Sequence, residues 1–404
     1  MANKNTSRKR RLHRAVTNQS SIPQVSSLMK HKGKPTMAKC LPGDRQSPYT
    51  DIQHDIKRPV NNIKRNRPSN RISEVALDIT KKSIHIPKRM SFFWAGKTMS
   101  WLRFMTVYSF SVLNPGWEIK LYHGDANPDQ RTWTCPNMQD FLYPEMDDDY
   151  FHLVKKLKNV EVIEDWSLIR KGMIYNKKID WDNIAPIHKC DIIEWKILGE
   201  QGGFFSDFDI LFIRPMNAIY KELKHRKIET GICYQNLQKN GTKYFSIGFL
   251  CSNIINTFYD DVYKWAVNNY DPTKYQSTGA FALYCLLAGD KLRQRDTNTG
   301  AQEQWLAKTN LVRLIKSKYL DSKIHNFEMN VVYPYTWRDL HELYVKNNID
   351  NIPKETIGLH WYGGSEASQM FNRSLTQTNW NEYNNTICNA MAKFLTFPEE
   401  IFAK

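Results

Sequence analysis

Several features are scarce in this 404-residue sequence, and each scarcity narrows what the chain can be. No run of about twenty apolar residues occurs, so no stretch reads as a membrane-crossing helix, and the first residues lack the apolar core of a secretion signal. Cysteine is sparse and unpatterned: Cys40, Cys135, Cys190, Cys233, Cys251, Cys285 and Cys388 make an odd seven with no Cys-x-x-Cys pair, which argues against a disulfide framework. With the missing leader, this points to a cytoplasmic protein. No internal repeat is present, which sets aside solenoids and propellers.

Charge of one sign is also scarce, except at one end. The overall excess is +16, yet residues 1–82 hold 19 Lys+Arg against 5 Asp+Glu, and residues 83–404 hold 38 against 36. The basicity therefore belongs to a tail marked by Arg8-Lys9-Arg10-Arg11, Lys57-Arg58 and Lys64-Arg65-Asn66-Arg67. That tail is rich in Ser, Asn, Pro and Gln and has no apolar periodicity, so residues 1–82 read as a disordered basic tail preceding a single folded domain, 83–404. It is either a solvating extension or a segment drawn to anionic membrane lipid, cell-surface polymer or, nonspecifically, nucleic acid. A dedicated nucleic-acid partner is not expected, because such a protein carries its basic residues on the folded surface.

What the sequence does contain is enough apolar residue, 41%, for a sizeable core, arranged in alternating periods. Strand patterns at 84–94, 117–122, 159–163 and 204–213 alternate with helical patterns at about 98–112 and 184–201. Beyond 215 the pattern is mixed, with a strand at 244–250 and helices near 254–268, 278–288 and 380–395. Such alternation predicts an α/β protein with a mixed, mostly parallel sheet flanked by helices.

The chemistry concentrates where Gly202 and Gly203 stop the second helix and Phe204-Phe205-Ser206-Asp207-Phe208-Asp209-Ile210-Leu211-Phe212-Ile213 follows. Asp207 and Asp209 are two apart, so on a strand they share a face. Bare carboxylates in an apolar strand cost several kcal/mol each unless compensated, on the order of what a divalent cation or hydrogen bonds supply. The pair therefore reads as a metal site, with a strand-end turn and capping carboxylates as the bland alternative. Asp147-Asp148-Asp149 has no apolar strand around it and reads as a solvated turn. Asp191 lies on the preceding helix beside its apolar stripe, facing either a site or water.

From Cys190 to Asp209 the chain resembles the glycosyltransferases whose sugar-binding region contains the DXD motif. That family includes fungal Golgi mannosyltransferases and is related to the glucosylating domain of the large clostridial toxins. Ile86-Pro87-Lys88-Arg89-Met90-Ser91-Phe92-Phe93-Trp94-Ala95-Gly96 is similar to the family's first strand, and Asn114-Pro115-Gly116-Trp117-Glu118-Ile119-Lys120-Leu121-Tyr122 to its second. The resemblance implies a GT-A-like nucleotide-sugar-binding sheet and a metal-dependent hexosyltransferase acting on a UDP- or GDP-sugar and a glycan or other hydroxyl acceptor, with retention of configuration. It implies Mn²⁺ or Mg²⁺ on Asp207 and Asp209, Asp191 on the donor sugar, and Trp94, Gly203 and Asp207 on the donor side, core filler being the alternative for Trp94. In Gly358-Leu359-His360-Trp361-Tyr362-Gly363-Gly364, His360 is suited to complete the metal site, the alternative being a buried histidine bonded in a turn. Ser277-Thr278-Gly279 resembles an acceptor-side loop or is a helix N-cap. Asp125 is a weaker candidate for ribose or base.

One departure stands out. Three residues after Asp191, where the family carries Arg, this chain has Glu194, and an acid cannot replace a guanidinium beside phosphate. Either another cation does that work or donor recognition has shifted. A degenerate relative that binds sugar nucleotides without turnover is the remaining alternative.

Overall fold

The computed structural model describes residues 85–96, 98–124, 148–164, 179–181, 184–235, 244–272, 276–288, 311–319 and 323–402. The expected tail 1–82 and Asp125 lie outside the described residues, as does Asp147.

Seven strands form one sheet in the order β3-β2-β1-β4-β7-β6-β8. These are β1 (Arg89–Trp94), β2 (Glu118–His123), β3 (Val160–Ile163), β4 (Gly203–Ser206), β6 (Thr230–Gln235), β7 (Tyr244–Ser252) and β8 (Ile324–Asn326). All neighbours are parallel except β7, which runs against both β4 and β6. The sheet is thus mixed, with the central β1 and β4 in the register Met90↔Phe204 and Ser91↔Phe205. Their carboxyl ends, Trp94 and Ser206, reach the same edge, where open α/β sheets place ligands.

Helices cover both faces. On one, α1 (Trp101–Leu113) starts at Ser100, whose hydroxyl caps the Arg103 N–H, and packs Phe110 against Phe92, Trp117 and Phe212. On the other, α2 (Pro186–Glu200), α3 (Thr257–Asn268) and α4 (Ala280–Ala288) enclose a core that includes Phe93, Ile193, Phe205, Leu250, Tyr259 and Leu283. Alternate β1 side chains, Phe92 and Phe93, serve the two layers, as a strand's two-residue period requires. α2 is buried nearly all round, which a helix under a sheet and beside α3 must be.

The structure differs from the sequence reading at one informative place. The apolar run 204–213 is two strands: β4 ends at Ser206, residues 207–209 turn, and β5 (Ile210–Phe212) leaves the large sheet to pair antiparallel with β9 (Gly358–His360). Phe208 is buried in the turn against Phe92 and Trp94, and its carbonyl accepts from the Thr106 hydroxyl, so the turn is pinned from the α1 side. No helix among the described residues is long and apolar enough to cross a membrane.

Candidate metal centre

The break between β4 and β5 and the pairing of β5 with β9 assemble the site. Asp207 follows the last residue of β4, with its N–H bonded to the Gly248 carbonyl at 3.0 Å. Asp209 precedes β5, and His360, opposite Ile210, closes β9. One ligating atom from each of Asp207, Asp209 and His360 lies within 4.8 Å of the others. Residues 150 positions apart in the chain meet because two three-residue strands pair.

Each member is fixed by its surroundings. The Asp209 Oδ2 accepts the Gly363 N–H at 2.7 Å, and its carbonyl accepts the Trp361 N–H at 2.8 Å. Its other oxygen, Oδ1, lies 3.1 Å from His360 Nε2, an electrostatic contact in which Oδ1 has no aligned hydrogen-bond donor. The imidazole sits between the rings of Tyr333 and Tyr362, and its Nδ1 is buried without a partner. Tyr362 has φ +51°, a left-handed conformation costly for a bulky side chain. That turn is what allows His360 and the Gly363 N–H, three residues apart, to address the same carboxylate. Gly248 is also needed as glycine: a Cβ there would stand 3.0 Å from Asp207 Oδ2.

The electrostatics follow from burying two carboxylates side by side. Burial, followed by the neighbouring Asp209 charge, pushes the Asp207 carboxyl up to about 7, against the opposing pull of His360 and Arg103. Burial pushes Asp209 the same way, but His360, the Gly363 N–H and Arg103 outweigh it and hold that carboxyl below the usual range. Two carboxylates and an imidazole, with Asp209 Oδ1 and His360 Nδ1 lacking hydrogen-bond partners, fit a divalent ion of intermediate hardness.

Asp191 is 6% exposed, buried and not turned to water. Its Oδ2 accepts the Thr278 hydroxyl at 2.9 Å, and burial, only partly offset by that bond and reinforced by Asp207, lifts its carboxyl to about 8. Ser277-Thr278-Gly279 is therefore in contact with Asp191, and a Cβ on Gly279 would come within 3.0 Å of its Oδ2. Glu194, one helical turn on, is wholly buried and neither of its oxygens has a hydrogen-bond partner. Asp149, in the acidic stretch read as a solvated turn, bonds the Met99 N–H just ahead of α1.

Trp94 lies at the correct sheet edge but is 3% exposed, packed on Phe208 with the Arg103 guanidinium over its ring. A base stacking on that indole has to share or displace Arg103. Gly203 is not brought to the cluster: it opens β4 at the opposite end from Asp207, about 13 Å away at the usual strand rise. Its φ of +97° and the Arg89 carbonyl 3.1 Å from where a Cβ would sit account for a glycine there. Arg103, Tyr333 and Gly248 escaped the sequence reading, since nothing in their local sequence marks them; only contacts from distant strands do.

No family model matches the chain, and no curated protein matches it. Solved structures resemble it at low identity. The PaToxG glycosyltransferase aligns at 13% identity over 57% of this chain and 78% of its own, with a TM-score of 0.34. The galactosyltransferase LgtC in complex with donor and acceptor sugar analogues aligns at 11% over 77% and 98%, TM-score 0.28. The catalytic domain of alpha-toxin from Clostridium novyi aligns at 14% over 58% and 68%, TM-score 0.28. Likenesses this shallow say nothing of substrate.

Proposed function

We propose that this protein is a divalent-metal-dependent glycosyltransferase that moves a sugar from a nucleoside-diphosphate donor to a glycan or other hydroxyl acceptor. The observation that carries this reading is the convergence of Asp207, Asp209 and His360 at the carboxyl edge of a mixed α/β sheet. Asp207, Asp209 and His360 would hold Mn²⁺ or Mg²⁺, and the ion, when bound, supplies positive charge to the departing diphosphate. The remaining work falls to the chain. The Gly363 N–H and the Tyr362 turn hold Asp209 in place, and Gly248 leaves room for Asp207. Asp191, whose Oδ2 is held by the Thr278 hydroxyl, would offer its carboxyl to sugar hydroxyls. Trp94, at the same sheet edge, would flank the donor, and retention of configuration is part of this reading.

A noncatalytic sugar-nucleotide binder would hold the cation with the same residues, and turnover separates the two readings. The test is hydrolysis of a panel of UDP- and GDP-sugars by the purified protein with Mn²⁺, with Mg²⁺ and with EDTA. At least one donor is expected to be turned over with metal and not with chelator. Equal rates with metal and with EDTA would overturn the metal assignment, and inertness to the whole panel would overturn the transferase reading.

A further inference from the structure

Arg103 is the third residue of α1, and its guanidinium is clamped between two indoles, its Cζ 5.2 Å from the centre of Trp94 and 5.4 Å from that of Trp361. Both rings are buried, so the clamp is rigid, and stacking on an aromatic face leaves the planar fork of N–H donors free at its edge. None of those donors makes a hydrogen bond or an ion pair among the described residues. Arg103 nevertheless lies beside the site: it approaches Gly363, whose N–H donates to Asp209 Oδ2 at 2.7 Å. One terminal nitrogen lies 3.3 Å from where a Cβ on Gly363 would sit. The guanidinium thus stands near the Asp209 carboxylate without pairing with it. A cation held by the carboxylates and a polyanion reaching from it to the guanidinium would leave every charge opposed.

Resting on the glycosyltransferase reading, we infer that Arg103 is a diphosphate-binding residue of the donor site, gripping phosphate oxygens with its free N–H edge while Trp94 and Trp361 hold its plane. The ligand class is a nucleoside diphosphate or its sugar ester. This places a positive charge beside the site from α1, whereas α2 offers the unpartnered and buried Glu194 at the position one turn beyond Asp191. The reach from α1 is short because Trp94 ends β1 only a few residues before the helix begins.

The experiment is calorimetric titration of the full chain, with Mn²⁺ present, by UDP and by GDP, and by uridine and guanosine as phosphate-free controls, for wild type, Arg103→Gln and Arg103→Lys. For whichever diphosphate wild type binds, Arg103→Gln is expected to weaken binding by about 10–100-fold, the value of a charge-assisted contact. Its binding of the matching nucleoside should be unchanged, and Arg103→Lys should recover part of the loss, since it restores charge but not the fork. Wild-type-like diphosphate affinity in Arg103→Gln would overturn the inference while leaving the transferase reading standing. Equal weakening of diphosphate and nucleoside would assign Arg103 to the fold or the base and likewise overturn it. Should Arg103→Gln fail to fold, Arg103→Lys decides alone, because full affinity there contradicts a bidentate grip. A wild-type protein that binds neither diphosphate removes both this inference and the reading beneath it.

Discussion

At the scale of single residues, His360 separates a metal ligand from a packing residue. Its ring lies between Tyr333 and Tyr362, but its backbone pairs in β9 whatever side chain it carries. His360→Ala therefore leaves the β5–β9 pairing in place and removes a ring whose Nδ1 has no hydrogen bond to lose. The expected outcome is a fall in Mn²⁺-dependent donor hydrolysis of about a hundredfold or more, since even residues that only orient metal ligands contribute about 10–100-fold. Stability should fall by only about 1–2 kcal/mol, read as a melting-temperature shift of a few degrees. Normal specific activity in a destabilised mutant would show a core histidine. Glycine carries a parallel lesson: Gly248 sits where an alanine methyl would press on Asp207, a constraint that no run of local sequence expresses.

Among the elements, α2 concentrates the unusual energetics. It buries Asp191 and Glu194 one turn apart, and burial first, then Asp207 and Asp191, push the Glu194 carboxyl well above the usual range. The titratable groups around it are Cys190 and Asp191 of its own helix, Asp207 beyond β4, and Tyr259 of α3. The folded state thus keeps a proton that the unfolded chain releases above its ordinary carboxyl value of about 4.3. Stability then declines as pH rises beyond that point, by at most about 1.4 kcal/mol per pH unit for this one group. Glu194→Gln keeps the shape and cannot titrate, so the mutant should gain on wild type progressively between pH 5 and pH 8 in denaturant unfolding. Asp191 declines in the same direction in both proteins and cancels from the difference. Parallel stability curves would show that Glu194 is ionised in the folded protein and compensated.

The same helix shows why some elements were legible in the sequence and others were not. β1, α1, β2 and α2 carry sustained apolar periods and clear stops, such as the Gly202-Gly203 pair, and they fold within a few residues of the expected bounds. The run through Asp207 and Asp209 reads as one strand because Phe208 alternates as a strand residue should. Its break depends on a partner, β9, that lies some 150 residues away and spans three residues, too short for any periodicity. β6 and β8 were likewise invisible, since they exist by pairing with β7 and with each other. Asp207, Asp209 and His360 were visible as chemistry before their meeting was visible as geometry. Arg103 was not, because an arginine in the first turn of an amphipathic helix looks like a solvated residue until Trp94 and Trp361 are seen on either side of it.

For the molecule as a whole, a parallel half-sheet and a reversed β7 bring the ends of β1 and β4 to one edge, and the small β5–β9 sheet carries the late segment 358–364 to it. The candidate site draws on segments far apart in sequence, Asp207 and Asp209 near the middle of the described residues and His360 late in them. The claim that this edge holds a divalent cation against a diphosphate is met most directly by Mn²⁺ titration, followed by electron paramagnetic resonance, in the presence of UDP or GDP. Wild type should take up a single tightly held Mn²⁺ per chain. Asp209→Asn, which keeps the shape that accepts the Gly363 N–H but not the charge, should weaken uptake by about a hundredfold or more while retaining the wild-type circular dichroism. Equal Mn²⁺ uptake by the folded mutant and wild type, or none by either, would contradict the account.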